Sequence, residues 1–340
     1  MVIAVDIRFT EEYQNIIYET FKRITEQHPS HSFIFIFDKP HDPSFIFSKN
    51  VTTVIAKPKN ISLLNDLKIS SILKKYKADV FVTAGSLSQT KVPQCLIAFG
   101  KVTSKSLKKA RVIVAGSEFS KKEIIEKYKI DGNKIDVVYK GVNENFKSIL
   151  FKEKEKIKEQ YANGNEYFLV AGAISSENYF LNLLKAFSAF KKMQKSNMQL
   201  LIATDVAIAG QPLEKFRSFK FKDEVKLLEK LNEERFAAIM AAAYAFVYPF
   251  AQNYSLALQS MKCDIPLVIN STGALPEICS DAALYVNPDS HKYIADKMML
   301  IFKDEELRQQ LIEKGNRLIK KYSWDNTANS LWMSIEKACR

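Results

Sequence analysis

The stretch YPFAQNYSLALQSMKCDIPLVINSTGALPE, residues 248–277, decides how this chain is read. Apolar residues predict one buried strand over 246–249 and another over 266–269, with a helix of one or two turns between them. A Leu-Pro-Glu turn closes the stretch. The segment between the strands carries amides and a hydroxyl: Gln252, Asn253, Ser255 and Gln259. Ser255 stands where it can cap a helix beginning near Leu256. A helix start there presents backbone N–H groups to a phosphate, and it is equally a place for ordinary capping.

Working outward, the same alternation fills the chain. SFIFIF at 32–37 is a continuous β-prone run with no polar alternation, which predicts a strand buried on both faces of a parallel sheet. Further strands are expected at 2–6, 51–55, 79–83, 96–99, 111–115 and 135–139. Helices are expected at 11–26, 65–76 and 120–128. The first of these carries Tyr13, Ile16, Ile17, Phe21 and Ile24 at helical spacing. After the turn-rich KGVNENF (140–146) the pattern restarts. Gly141 is read there as a residue chosen for its backbone freedom. Strands follow at 167–172, 199–203 and 225–228, then the two of the opening stretch. Helices follow at 179–193, 232–242 with Asn232 as N-cap, 291–302, 305–320 and 324–339. Alternating strands and helices predict an α/β protein with doubly wound sheets, and 340 residues suit two domains.

Composition limits the function classes. Lysine and arginine outnumber the acids 50 to 38, a formal net charge of +12. Much of the surplus is lysine on helices, as in KVTSKSLKKAR at 101–111. It reads as a solvated basic face, as attraction to anionic lipid headgroups, or as attraction to a nucleotide diphosphate. Nucleic-acid motifs are absent from the sequence, so no nucleic-acid partner is expected. Cys95, Cys263, Cys279 and Cys339 lack CxxC spacing and read as reduced, buried residues, which favours the cytoplasm. Asp6 and Arg8 come too early for a signal peptide, and the apolar run 236–250 is too short to cross a bilayer. A cytoplasmic protein, peripheral at most at the inner membrane face, is expected. His28, His31, His41 and His291 are unclustered, and no metal site or cofactor is expected. No GxGxxG or GxxxxGK[ST] occurs, which argues against nicotinamide and P-loop nucleotides.

Several strings together resemble the glycosyltransferase family 4 enzymes (glycosyl transferases group 1). They are ARVIVAGSEFSKKEII (110–125), KIDVVYKGVNENF (134–146), NEERFAAIMAAAYAFVYP (232–249), the opening stretch, SDAALYVNP (280–288) and YSWDNTA (322–328). The resemblance covers residues 110–340, and the first hundred only in outline. It implies the GT-B fold, two Rossmann-like doubly wound domains facing across a cleft. The expected division is an acceptor-side domain over 1–146, a nucleotide-sugar-side domain over 147–323, and a helix over 324–340 crossing back to the first. The implied activity is retaining transfer of a sugar from a nucleotide-diphosphate-sugar to a glycan or cell-envelope acceptor. The donor is a substrate, with no further cofactor.

The family holds the leaving diphosphate with helix N-termini and an Arg-Lys pair, because bond breaking places negative charge there. By resemblance, that pair corresponds here to Ser176 and Glu177, after Gly172 and before a matching Asn178. The family's glutamate on the ribose corresponds to Gln259. Its glutamate near the sugar corresponds to Gln252 or Asn253. Glu277, after Pro276, matches a family position near the helix start in the turn, and it reads equally as charge at a helix N-terminus. The family's His-Asp dipeptide is missing after 92–97. The donor-binding candidates are therefore Gly172, Ser176, Glu177, Asn178, Gln252, Asn253, Ser255, Gln259 and Glu277, with no catalytic residue assigned. Two readings follow: a divergent transferase, or a catalytically inactive GT-B protein. The second would bind a glycan or serve as partner subunit to an active glycosyltransferase.

Overall fold

The fold was analysed in a computed structural model, which describes residues 1–8, 11–40, 47–56, 62–85, 87–100, 102–172, 177–204, 211–249 and 254–340. Contacts divide the chain into two units, Met1–Gly141 with Tyr322–Arg340, and Val142–Lys321.

The first unit runs β1 (Val2–Asp6), α1 (Glu11–Gln27), β2 (Ser32–Phe37), β3 (Val51–Ile55), α2 (Ser62–Lys75), β4 (Val80–Ala84), β5 (Gln94–Ile97), α3 (Ser104–Lys109), β6 (Val112–Ala115), α4 (Glu118–Tyr128) and β7 (Ile135–Val137). The seven strands lie parallel in the order β3-β2-β1-β4-β5-β6-β7, so the winding reverses between β1 and β4. The period of two along each strand is visible in the core. Phe33, Phe35 and Phe37 of β2 join Ile3 and Val5 on one face, under Ile17, Phe21 and Ile24 of α1. Ile34 and Ile36 join Ala4 on the other, against Ile69, Ile72 and Leu73 of α2. A strand apolar on both faces needs helices on both sides, as the SFIFIF run predicts. Ser117 caps α4 by accepting from Ser120 N at 3.0 Å.

The second unit contains α5 (Phe151–Ala162), β8 (Tyr167–Ala171), α6 (Glu177–Gln194), β9 (Gln199–Ala203), α7 (Gln211–Arg217), β10 (Val225–Leu228), α8 (Glu233–Ala241), β11 (Ala245–Tyr248), α9 (Ser255–Lys262), β12 (Leu267–Asn270), α10 (Leu275–Cys279), β13 (Ala283–Val286), α11 (His291–Lys303) and α12 (Glu305–Leu318). Its six parallel strands are ordered β10-β9-β8-β11-β12-β13, reversing between β8 and β11. Asn232 caps α8, its side chain accepting from Arg235 N at 2.9 Å. The Leu-Pro-Glu turn opens the short helix α10, with Glu277 in its first turn. Helix α5 was not foreseen. Its sequence FKEKEKIKEQYA buries only Lys158 and Ala162, so no apolar stripe marks it. It forms on the strength of good helix-forming residues, and Lys158 is held by Glu155 at 2.9 Å and Glu166 at 2.5 Å.

The last helix, α13 (Trp324–Cys339), belongs to the first unit. Ala328, Leu331, Trp332, Ile335 and Ala338 complete the core formed by β1, β2 and α1. Burying Leu331, Trp332 and Ile335 stabilises by about 1.5–3 kcal/mol each. Thr327 Oγ1 donates to Tyr139 O at 2.8 Å, and Lys337 pairs with Asp136 at 2.6 Å. Gly141 corrects an expectation here. It is not among the positive-φ glycines. A Cβ at that position would lie 2.5 Å from Trp324 N and 2.8 Å from Ser323 C, so glycine is required by close backbone approach, not by unusual angles.

Among the described residues no helix is long and apolar enough to cross a membrane. Among them, too, no group of three His, Cys, Asp or Glu side chains is placed to hold a metal ion.

Candidate functional site

A cavity of about 410 Å³ lies in the second unit at the carboxyl ends of its strands. In doubly wound sheets ligands bind at that edge, beside the strands where the winding reverses. Ala171 and Gly172 follow β8, Ala203 and Thr204 follow β9, and Leu228 ends β10. Leu231, Phe236 and Phe146 make one side of the cavity apolar. Phe146 meets Phe236 edge-on with ring centroids 6.0 Å apart. Leu256 and Gln259 of α9 line the cavity as well.

Gly172 is required twice over. Its φ is +93°, and a Cβ there would meet Tyr248 Oη at 3.1 Å and Leu256 Cδ1 at 3.2 Å. Tyr248 ends β11, and burial pushes its hydroxyl pKa upward. Glu233 is the one charged side chain among the described lining residues. Its carboxylate accepts from Asn143 Nδ2 at 3.1 Å and Asn145 Nδ2 at 2.9 Å, which ties the segment after Gly141 to the start of α8. Gln259 is half-buried, yet its Oε1 is fully buried and accepts no hydrogen bond among the described residues. A buried amide oxygen without a donor is costly to the unliganded protein. The cavity thus offers an apolar side, the polar side chains of Thr204 and Gln259, and no described basic side chain. Those features suit binding a flat, hydroxyl-bearing group more than proton transfer.

Residues 151–318 match the family model for glycosyl transferases group 1, and this segment holds all of the cavity but Phe146. This segment is a group 1 glycosyltransferase domain. The chain is 26% identical over 239 residues to the O-antigen chain mannosyltransferase RfbU of Salmonella typhimurium, covering 68% of this chain and 62% of that protein. It therefore spans less than two thirds of the length of that curated relative. The fold is similar to that of a glycosyltransferase from Rickettsia africae, with a TM-score of 0.80 at 16% identity over 99% of this chain and 98% of the other. It is also similar to Anabaena HepE, solved in complex with UDP and glucose, with a TM-score of 0.73 at 12% identity over 99% of both chains. Identities this low establish the fold, and that fold is GT-B.

The group 1 domain gathers only part of the candidate set. Gly172 and Gln259 meet in the cavity. Glu177 begins α6; Asn178 is its second residue, is exposed and does not line the cavity. Glu277 sits half-buried in the first turn of α10, also away from the lining. Ser176, Gln252 and Asn253 lie outside the described residues. Ser255 is corrected from N-cap to first residue of α9, because the cap position belongs to Tyr254. A capping side chain needs extended backbone, and Ser255 already has the backbone of the helix. Sequence reasoning missed Thr204, Leu231, Glu233 and Phe236. The signal for the first was its place directly after a strand, since residues at carboxyl ends of parallel strands face ligands.

Proposed function

We propose that this chain transfers a sugar, with retained anomeric configuration, from a nucleotide-diphosphate-sugar to a glycan or cell-envelope acceptor. The observation that carries the reading is the cavity at the carboxyl ends of the second sheet, beside its reversal, lined by Gly172, Thr204 and Gln259. In this reading the Gln259 side chain, which lines the cavity, turns its amide oxygen to accept from a ribose hydroxyl, the role the family gives to a glutamate. The apolar side made by Phe146, Leu231 and Phe236 packs the base. Helices α6 and α9 are the elements that follow β8 and β11 in the chain, the two strands at the reversal point, which brings their amino-terminal dipoles to that edge. Such dipoles stabilise the charge that develops on a departing diphosphate. The name of the Salmonella relative supports a hexosyl donor and a polysaccharide acceptor, and the UDP bound to Anabaena HepE supports a uridine nucleotide. The protein would work in the cytoplasm, meeting the inner membrane face peripherally.

Calorimetry with UDP, GDP and their hexose conjugates tests the proposal. At least one nucleotide should bind, and Gln259→Ala should weaken it by about fivefold to tenfold, the worth of one hydrogen bond. If none of them binds at millimolar concentration, the donor reading is wrong.

A further inference from the structure

The first unit carries a second concavity, on the edge of its sheet opposite to ligand-binding convention. Two adjoining hollows of about 720 and 640 Å³ lie at the amino-terminal ends of β4, β5, β6 and β7. They share the segment from Gln89 to Val92 and Lys109 as a common wall. Lys74 and Lys77 line the first hollow, Arg111 and Lys134 line the second, and Lys91 and Lys109 line both. Among the described residues each hollow is thus ringed by four cations, and no carboxylate lines either. Among the described residues none of the six cations takes part in an ion pair.

Helix ends explain a little of this charge. Helices α2 and α3 terminate here, and each C-terminus carries about half a negative charge. Two such ends amount to about one unit of negative charge, against six cations. The nearby Asp79 accepts from Val2 N, and Asp131 accepts from Asn133 N, so both acids are turned to backbone partners. The common wall is also held in place. The buried Gln94 donates to Ser88 O at 2.9 Å and accepts from Ser88 N at 3.1 Å. Ser70 Oγ donates to Gln89 O at 2.9 Å, and Val92 N donates to Thr90 Oγ1 at 3.2 Å. All six cations are exposed, so solvent screens their mutual repulsion, and a concavity of one sign concentrates counter-ions.

We propose that this double hollow binds a diphosphate group, one phosphate facing each half, with Lys91 and Lys109 between them. The group's source is either a free diphosphate or the headgroup of a diphosphate-bearing lipid, and both present the same chemistry. The proposal rests on the first unit alone and stands whether or not the donor reading holds.

The test compares Lys91→Gln/Lys109→Gln/Arg111→Gln with a control of equal charge loss, Lys152→Gln/Lys156→Gln/Lys303→Gln. Thermal unfolding confirms that both variants fold. Inorganic pyrophosphate is titrated calorimetrically at low salt, and phosphatidylcholine vesicles containing geranylgeranyl diphosphate are sedimented with each protein. The site variant should lose about tenfold or more of its affinity for the diphosphate probe while the control keeps it. Tighter binding of pyrophosphate identifies a free anion, and tighter binding of the vesicles identifies the lipid headgroup. Equal binding by the two variants, or no binding of either probe by the unmodified protein, overturns the proposal.

Discussion

Replacing Gln259 with methionine should make the unliganded protein more stable and the nucleotide complex weaker. Methionine nearly matches glutamine in length and bulk but has no amide oxygen to satisfy. In the structure that oxygen is fully buried with no donor among the described residues. Leaving such an acceptor unmet costs about 1–3 kcal/mol. Taking the lower end, because the amide is only half-buried as a whole, the substitution should stabilise by about 1 kcal/mol. For a unit of this size that raises the unfolding midpoint by about 2–4 °C. The bound state changes in the opposite sense. A ribose hydroxyl that donates to Oε1 loses its acceptor, at a cost of about 0.5–1.5 kcal/mol, a twofold to twelvefold rise in Kd. Thermal unfolding with and without saturating UDP or GDP reads both effects in one experiment. Gln199 supplies the control. Its Oε1 is likewise buried and unmet, but it begins β9, at the end of the sheet away from the cavity. Gln199→Met should stabilise without changing nucleotide affinity. The reasoning fails if Gln259→Met lowers the unliganded midpoint and leaves affinity intact.

Gly141→Ala should destabilise the first unit by about 1–3 kcal/mol, since its Cβ would collide with the backbone at Trp324; hydrogen exchange should show α13 losing protection before the sheet. Stability should also fall with acid through His28. Burial, then the charge of His31, hold its pKa below the ordinary value of 6.5, with Glu336 opposing, and its ring stacks on Trp332 at 3.8 Å. A lowered histidine pKa means the unfolded chain binds the proton first, so this contribution is complete above pH 6.5 and lost as pH falls below it. His28→Gln should flatten the midpoint-against-pH curve in that window, and an unchanged slope would show that His28 does not set it. Burial pushes the thiols of Cys263 and Cys279 up to about 12 and raises that of Cys95 further still. In native protein at pH 8 a thiol reagent should therefore label only the partly exposed Cys339 quickly, and rapid labelling of a second cysteine contradicts the buried placement.

Elements with a dense apolar signal were legible before folding was considered. The run at 32–37 is β2, residues 199–203 are β9, and 324–339 are α13, because each must bury a continuous apolar surface. Helices α5 and α7 were not legible in the same way. In α5 the reason is plain, since an alternating lysine–glutamate surface has no inward face to announce it. The candidate site divides similarly. Gly172 and Gln259 were recognisable by resemblance, and both reach the cavity. Glu277 matched its string equally well and lies in the first turn of α10, outside the described lining of the cavity.

Residue order alone thus established an α/β chain of two parallel-sheet units and the group 1 character of its second half. Those properties follow from local periodicity and short strings. Contacts between distant residues decided the rest. That Gly141 has to yield space to Trp324, that Asn143 and Asn145 hold Glu233, and that six basic residues from four separate segments surround one double hollow are facts of packing. Whether Gln259 finds a partner depends on which side chains the sheet carries to it across many positions of chain. A polar atom's satisfaction is a property of its surroundings, and only the folded chain supplies them.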